Sequence, residues 1–171
     1  MTDEAREGAL LDLLNTTPVV RGAVRDALEL PAEAQHWARQ HGWSGGREEI
    51  GHLTAARDAL QEIVRGTREP ESLNSLLEGV KNVPYIDGGR VDWTLHAPEG
   101  RGPAAEMVLA WSHLQETRPG RLRPCANPEC RRFLLDRSKP NSARWCSMSE
   151  CGNRMKARRH YQRSKGADAG N

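Results

Sequence analysis

The sequence predicts an α+β chain: a mostly helical N-terminal domain with a small β-hairpin or sheet, then a compact cysteine-rich module ending in a basic helix. Three observations lead there. Apolar residues recur at helical spacing in five stretches before residue 120. One stretch, around Asp87-Gly-Gly89, switches to an alternation of period two. All four cysteines and an excess of arginine fall in the last third of the 171 residues. That length suits one domain of about 110 to 120 residues plus a small one that needs a staple of its own.

Residues 3 to 14 read as an amphipathic helix, with Ala9, Leu10, Leu13 and Leu14 on one stripe. Asp3, Glu4 and Glu7 lie in its first turns, where they suit the helix dipole, and Asn15-Thr-Thr-Pro18 stops it. A short helical segment is expected around Val24 to Leu28. Pro31 opens the next helix, which turns Ala34, Trp37 and Ala38 inward and ends near His41-Gly42. Ser44 is placed to cap the longest helix, Arg47 to Val64, whose Ile50, Leu53, Ala56, Leu60, Ile63 and Val64 follow the i, i+3, i+4 rule. A shorter helix from about Pro70 to Val80 should bury Leu73, Leu76, Leu77 and Val80.

The period then changes. Val83 and Tyr85 alternate before Asp87-Gly-Gly89, and Val91, Trp93 and Leu95 alternate after it with Asp92, Thr94 and His96 opposite. This is the pattern of a hairpin with one buried face. Pro103 opens a helix to about Thr117 that buries Ala104, Met107, Val108, Trp111 and Leu114, and Pro119-Gly120 breaks it. The expected division is therefore residues 1–120, a module over 121–165, and a flexible tail over 166–171 with nothing to bury.

Charge follows the same division. Residues 121–165 carry thirteen Lys and Arg against Glu129, Asp136 and Glu150, a net +10, and the remainder carries −8, twelve basic against twenty acidic residues. A polyanion partner for the module is the expectation. No apolar run approaches the roughly 18 residues of a membrane helix, and Met1-Thr-Asp-Glu-Ala-Arg-Glu lacks a signal-peptide pattern. A cytoplasmic protein without a membrane partner is expected. No Gly-rich phosphate loop, nucleophile motif or metalloprotease spacing appears among the six histidines, which argues against an enzyme.

Cys125-Ala-Asn-Pro-Glu-Cys130, fifteen residues, then Cys146-Ser-Met-Ser-Glu-Cys151 gives two pairs at C-x4-C spacing. In a reducing compartment such pairs read as ligands of one structural zinc ion, with two disulfides in a secreted protein as the alternative. Four thiolates would close the coordination sphere and leave no position for catalysis. The module has one Phe and few aliphatics, so its own core cannot offset its chain entropy and a metal must supply folding free energy. Phe133-Leu-Leu135 reads as a strand, Lys139-Pro-Asn-Ser142 as a turn, and Ala143 to Trp145 as a returning strand.

From about Cys151 a helix carries Arg154, Lys156, Arg158, Arg159, Arg163 and Lys165 with no acid among residues 151–165. A merely solubilising helix mixes signs, so this one reads as a phosphate-binding surface. The candidate DNA contacts are Arg154, Lys156, Arg158, Arg159 and Arg163, supported by Arg131, Arg132, Arg137, Lys139 and Arg144. Replacing Cys146 with Ser is expected to unfold this module and leave the N-terminal helices intact.

Trp145-Cys146-Ser-Met-Ser-Glu-Cys151-Gly-Asn-Arg154, preceded by Leu135-Asp-Arg-Ser138, closely resembles the CGNR zinc-finger family of bacterial proteins. Leu13-Leu-Asn-Thr16, Arg21-Gly22, Asp26-x-Leu28 and Trp37 are similar to the ABATE domain that usually precedes this finger. The resemblance implies a transcription regulator, sometimes stress-induced, with a treble-clef-like finger for DNA and an α/β domain for a small ligand. One departure is Arg131-Arg132 before Phe133, where the family usually has an aromatic residue; it adds positive charge beside the first cysteine pair. The candidate effector residues are Asn15, Thr16, Arg21 and Asp26, although the same residue types also serve to cap and turn a chain. The expected partners are double-stranded DNA, with a small-molecule effector and a homodimer as candidates. The alternative is an RNA-binding or protein-interaction finger within a larger assembly.

Overall fold

The computed structural model describes residues 2–168. The element order is α1 (Asp3–Leu14), β1 (Val19–Val20), β2 (Ala23–Val24), α2 (Pro31–Gln40), α3 (Arg47–Val64), a 3-10 segment (Pro70–Leu76), β3 (Lys81–Asp87), β4 (Arg90–His96), α4 (Gly102–Thr117), β5 (Leu122–Pro124), β6 (Phe133–Leu135), a π turn (Met148–Gly152) and α5 (Asn153–Asp168). The class is α+β, with three separate two-stranded antiparallel ladders, β1–β2, β3–β4 and β5–β6. No helix among the described residues is long and apolar enough to cross a membrane.

The core lies where α1, α3 and α4 pack together. Their heptad-like stripes meet, so Leu10, Leu13, Leu14, Leu53, Leu60 and Met107 lose all solvent exposure; each such side chain contributes roughly 1.5–3 kcal/mol on burial. Most polar groups inside are paired, Trp111 Nε1 and Arg123 Nε being the exceptions among the described residues. Arg57 of α3, 3% exposed, donates to Asp26 at 2.6 Å, Asp58 at 2.9 Å and Thr16 at 3.3 Å. Gln61 donates to the Leu14 carbonyl and the Thr17 hydroxyl, both at 2.8 Å, which fixes the end of α1 against α3.

Several local expectations are corrected. The segment Val24 to Leu28 is not helical. Arg21 and Gly22 both have positive φ (52° and 83°), which makes a primed turn between β1 and β2, and Asp26 accepts the Leu28 N–H instead of letting a helix start. Ser44 does not cap α3; Gly46 does. The Ser44 hydroxyl donates to the buried Glu49 carboxylate, which also takes the Gly45 N–H at 2.6 Å. The segment from Pro70 tightens to a 3-10 helix and stops at Leu76, because the Ser72 and Ser75 hydroxyls bond nearby backbone carbonyls.

The hairpin forms around Gly88-Gly89, both at positive φ, but neither of its faces is buried. It stands beyond the α1, α3, α4 core, and only Leu95 becomes half-buried. Residues 143–145 form no strand. Strand β6 pairs instead with β5, just after the α4 break, in the register Leu122↔Leu135 and Pro124↔Phe133. Of the expected tail, α5 extends through Asp168 and residues 169–171 lie outside the described residues.

Candidate metal centre and nucleic-acid interface

The small ladder β5–β6 places the first cysteine pair. Cys125 follows β5 directly, its N–H bonded to the Arg132 carbonyl, and Cys130 sits in the turn before β6. Of the second pair, Cys146 precedes the π turn and Cys151 lies within it, where the Ser147 hydroxyl caps Glu150 and the Cys151 N–H reaches back to the Ser147 carbonyl. Gly152 is closely covered: a Cβ there would lie 2.7 Å from the Met148 sulfur, displacing that flexible side chain, and 3.3 Å from the Trp145 ring.

The four sulfurs lie within 4.8 Å of one another. Cys146 Sγ is 3.7 Å from both Cys130 Sγ and Cys151 Sγ. A tetrahedron of thiolates at the usual zinc distance has sulfurs about 3.8 Å apart, and a disulfide would bring them to about 2.05 Å. All four cysteines are free. The Asn127 amide points at Cys151 Sγ and the Cys146 N–H at Cys125 Sγ, both at 3.5 Å, the N–H donors a thiolate set requires.

Two of the thiols, Cys130 and Cys146, resist ionisation. Burial pushes the Cys146 thiol well up, and the neighbouring Cys130 sulfur adds to it. Burial likewise raises Cys130. At Cys151 burial is outweighed by the Asn127 amide and the adjacent sulfurs, and its thiol falls below its ordinary value. The donor chemistry and spacing suit one zinc ion, which would supply charge neutralisation and folding free energy.

The module does not stand alone. Phe133 is 1% exposed and belongs to the same apolar cluster as Leu10, Leu60 and Leu114, together with Leu122. The Asn15 side chain, at the end of α1, accepts the Phe133 N–H at 2.7 Å and donates to the Phe133 carbonyl at 3.3 Å. Arg65, following α3, lays its guanidinium 4.3 Å over the Phe133 ring and donates to the Arg131 carbonyl at 2.9 Å. The short connection after Pro119-Gly120 implies that the two parts pack together, but β5 and the residues of this packing were not foreseen; the signal present was Leu122, the one apolar residue between the α4 break and Cys125 apart from Pro124.

Behind β6, Asp136 organises the long connection between the cysteine pairs. Its carboxylate takes Arg123 at 2.6 Å, the Ala143 N–H at 2.7 Å and the Ser138 N–H at 2.9 Å. Hydrogen bonds from Ser138, against the opposing effect of burial, then those from the backbone and the Arg123 charge, hold Asp136 down at about 2.

The candidate nucleic-acid residues fall into two groups. Several are engaged: Arg132 pairs with Glu150 at 2.8 Å, Arg137 with Glu4 and Glu7, Arg158 with Glu129 at 2.9 Å, and Arg144 lies over the Trp145 ring. Arg131, Lys139, Arg154, Lys156 and Arg159 are exposed, and their side chains have no ion pair among the described residues. Arg163 donates to the Arg159 carbonyl, at 3.4 Å, and has no ion pair among the described residues. On α5, Lys156, Arg159 and Arg163 (i, i+3, i+7) share one face, and Arg154 and Arg158 (i, i+4) share another that meets Glu129.

The candidate effector residues are not gathered into one site. Asn15 and Thr16 line a cleft of about 610 Å³ between the N-terminal helices and the module, with Trp37, Arg132, Trp145 and Cys146. Asp26 is spent on Arg57, and Arg21 is exposed in the β1–β2 turn, away from the cleft.

A family model for the CGNR zinc finger matches residues 121–164. A second, for the ABATE family, described as "Putative stress-induced transcription regulator", matches residues 7–126. No curated protein matches the chain.

Proposed function

Since the chain belongs to the ABATE family of stress-induced transcription regulators and ends in a CGNR zinc finger, we propose that it binds double-stranded DNA through α5. One zinc ion held by Cys125, Cys130, Cys146 and Cys151 braces the start of that helix. The observation that carries this reading is the state of α5: it is strongly polar, with Met155 the one half-buried side chain among those described, it packs chiefly on the π turn, and it presents Lys156, Arg159 and Arg163 unopposed by any carboxylate on the helix before Asp168. A helix with no apolar face gains little from the core, and a one-signed cationic face gains free energy from a phosphate backbone by releasing counterions. Arg154 adds to this surface, and Arg158 fixes the helix angle through Glu129.

A sensing role for the N-terminal domain rests on the cleft. Its volume lies within the roughly 300–1,000 Å³ of small-molecule sites, and its walls come from both the helical domain and the finger, so an occupant that favours one arrangement of the two would alter DNA binding. Asn15 and Thr16 are the two effector candidates that line it.

Fluorescence anisotropy of the zinc-loaded chain with labelled duplex DNA and with structured RNA tests the reading. Duplex DNA should bind with a steep salt dependence, and replacing Lys156, Arg159 and Arg163 together by alanine should abolish binding at moderate salt while helicity and zinc content stay unchanged. Tighter binding to RNA than to any duplex, or capture of a protein partner with no DNA affinity, supports the alternative of an RNA-binding or protein-interaction finger.

A further inference from the structure

We propose that the free edge of β4 pairs with β4 of a second copy of the chain, making an antiparallel four-stranded sheet across a twofold axis. The register decides which edge is open. The two-residue Gly88-Gly89 turn makes Asp87 and Arg90 a hydrogen-bonded pair, and such pairs alternate along an antiparallel ladder. Tyr85 with Asp92 and Val83 with Thr94 therefore bond within the hairpin, whereas Pro84 with Trp93, Ile86 with Val91 and Asn82 with Leu95 direct their backbone groups outward. On β3 the outward row contains Pro84, which has no N–H, so that edge is closed to pairing. On β4 the outward row of Val91, Trp93 and Leu95 is complete. The Trp93 N–H meets no strand and is held at 2.8 Å by the carboxylate of Asp92, the residue just before it.

The same register gathers Pro84, Ile86, Val91, Trp93 and Leu95 on one face. Ile86, Val91 and Trp93 are 71%, 59% and 57% exposed, an open apolar face of the kind that marks an interaction surface. Along the β4 edge runs a groove of about 710 Å³ against α1 and α4. Residues from both faces of the strand, Asp92 and Trp93 among them, line it together with Leu109 and Ala110 of α4.

The strand fits itself. With the axis at Trp93, outward amides meet outward amides, Val91 faces the partner's Leu95, and Asp92 faces the partner's Thr94. A register centred on Asp92 would instead set the two Asp92 carboxylates against each other. Of the groove's carboxylates, Asp3 is paired with Arg6 and Glu7 with Arg118 and Arg137, whereas Glu106 has no ion pair among the described residues and neither has the Arg90 that the incoming strand brings. Two seven-residue strands alone cover less than the roughly 800 Å² per partner of a stable interface, and seating the apolar hairpin face on Leu109 of α4 extends the burial. A twofold pair would carry two α5 helices, which suits a DNA target with two half-sites.

Light scattering of the zinc-loaded full chain at tens of micromolar should give twice the 19.1 kDa chain mass. Val91→Pro removes one outward N–H without touching the ladder to β3 and should yield monomer. Thr94→Asp sets a carboxylate across from the partner's Asp92 in both halves of the sheet and should raise the dimer dissociation constant on the order of tenfold. Adding Asp92→Lys to Thr94→Asp should restore the dimer. Circular dichroism and zinc content, unchanged in all variants, separate dissociation from misfolding. A monomeric wild type, as expected if the edge serves another protein, overturns the proposal. So does a dimer indifferent to Val91→Pro and Thr94→Asp, or one that the double variant fails to restore.

Discussion

Replacing Phe133 with alanine should melt the N-terminal helices early, although the residue belongs to the zinc finger. Its ring is 1% exposed and packs in the cluster formed by α1, α3 and α4. Truncating a buried Phe costs about 3–5 kcal/mol, because the transfer free energy is lost and a cavity is left. The Arg65 guanidinium above the ring adds about 0.5–1 kcal/mol at such a partly exposed site. For a chain of this size each kcal/mol moves the melting temperature by about 2–4 °C, so the truncation term alone predicts a fall of about 6 to 20 °C. The assay is thermal denaturation of the zinc-loaded protein followed at 222 nm, where the helical signal is dominated by α1, α3 and α4. A melting temperature equal to that of the wild type would show that finger and helices unfold as separate units and would refute the shared core.

Further outcomes are expected. Cys146→Ser should abolish zinc retention in a competition assay with a chromogenic chelator and, through Phe133 and Leu122, also lower the helical melting temperature; an unshifted helical transition would restore the simpler expectation that only the finger unfolds. Asp136→Asn should destabilise the protein at pH 7. The wild-type carboxylate, held at about 2 in the folded chain, contributes stability above its ordinary value of about 4 and loses it as pH falls toward 2, so the deficit of the variant should close across that window; a deficit independent of pH refutes the role given to Asp136. Arg57→Met should cost about 1–3 kcal/mol in urea denaturation, since it removes the donor to the buried Thr16 hydroxyl and to the partly exposed Asp26, and a change under about 0.5 kcal/mol would refute a structural role for this network. Lys156→Ala should reduce the slope of log K against log salt by about 0.9 on duplex DNA, and an unchanged slope removes Lys156 from the interface.

Much of this was legible in the sequence. The helices α1, α2, α3 and α4 follow from apolar spacing and from Pro31 and Pro103, and Cys125 to Cys151 announce a metal cluster by their spacing. What escaped involves partners far apart in the chain. The hairpin alternation correctly gives β3 and β4, but alternation records only that one face is apolar, not whether anything in the same chain covers it. Thr16 and Asp26 look like a polar site until Arg57, thirty-one residues beyond Asp26, is seen between them. Asn15 reads as a helix stop, and its real work at Phe133 lies 118 residues downstream. The poor core of the module points to zinc and the short connection after Gly120 to packing of the two parts, but which residues do the packing, Phe133 and Leu122, emerges only from the fold.

The Asn15 clasp has a consequence for how the chain is made. Synthesis runs from the N-terminus, so α1 is complete long before Phe133 leaves the ribosome, and the contact closes a loop of 118 residues, among the slowest kinds of contact to form. Until then the cluster of α1, α3 and α4 lacks the ring that the Asn15 amide anchors in the folded chain. The shared core and the zinc site therefore close only once Phe133 and the second cysteine pair have emerged, and a chain that stops short of Cys151 lacks its finger and the contacts that the finger gives the core.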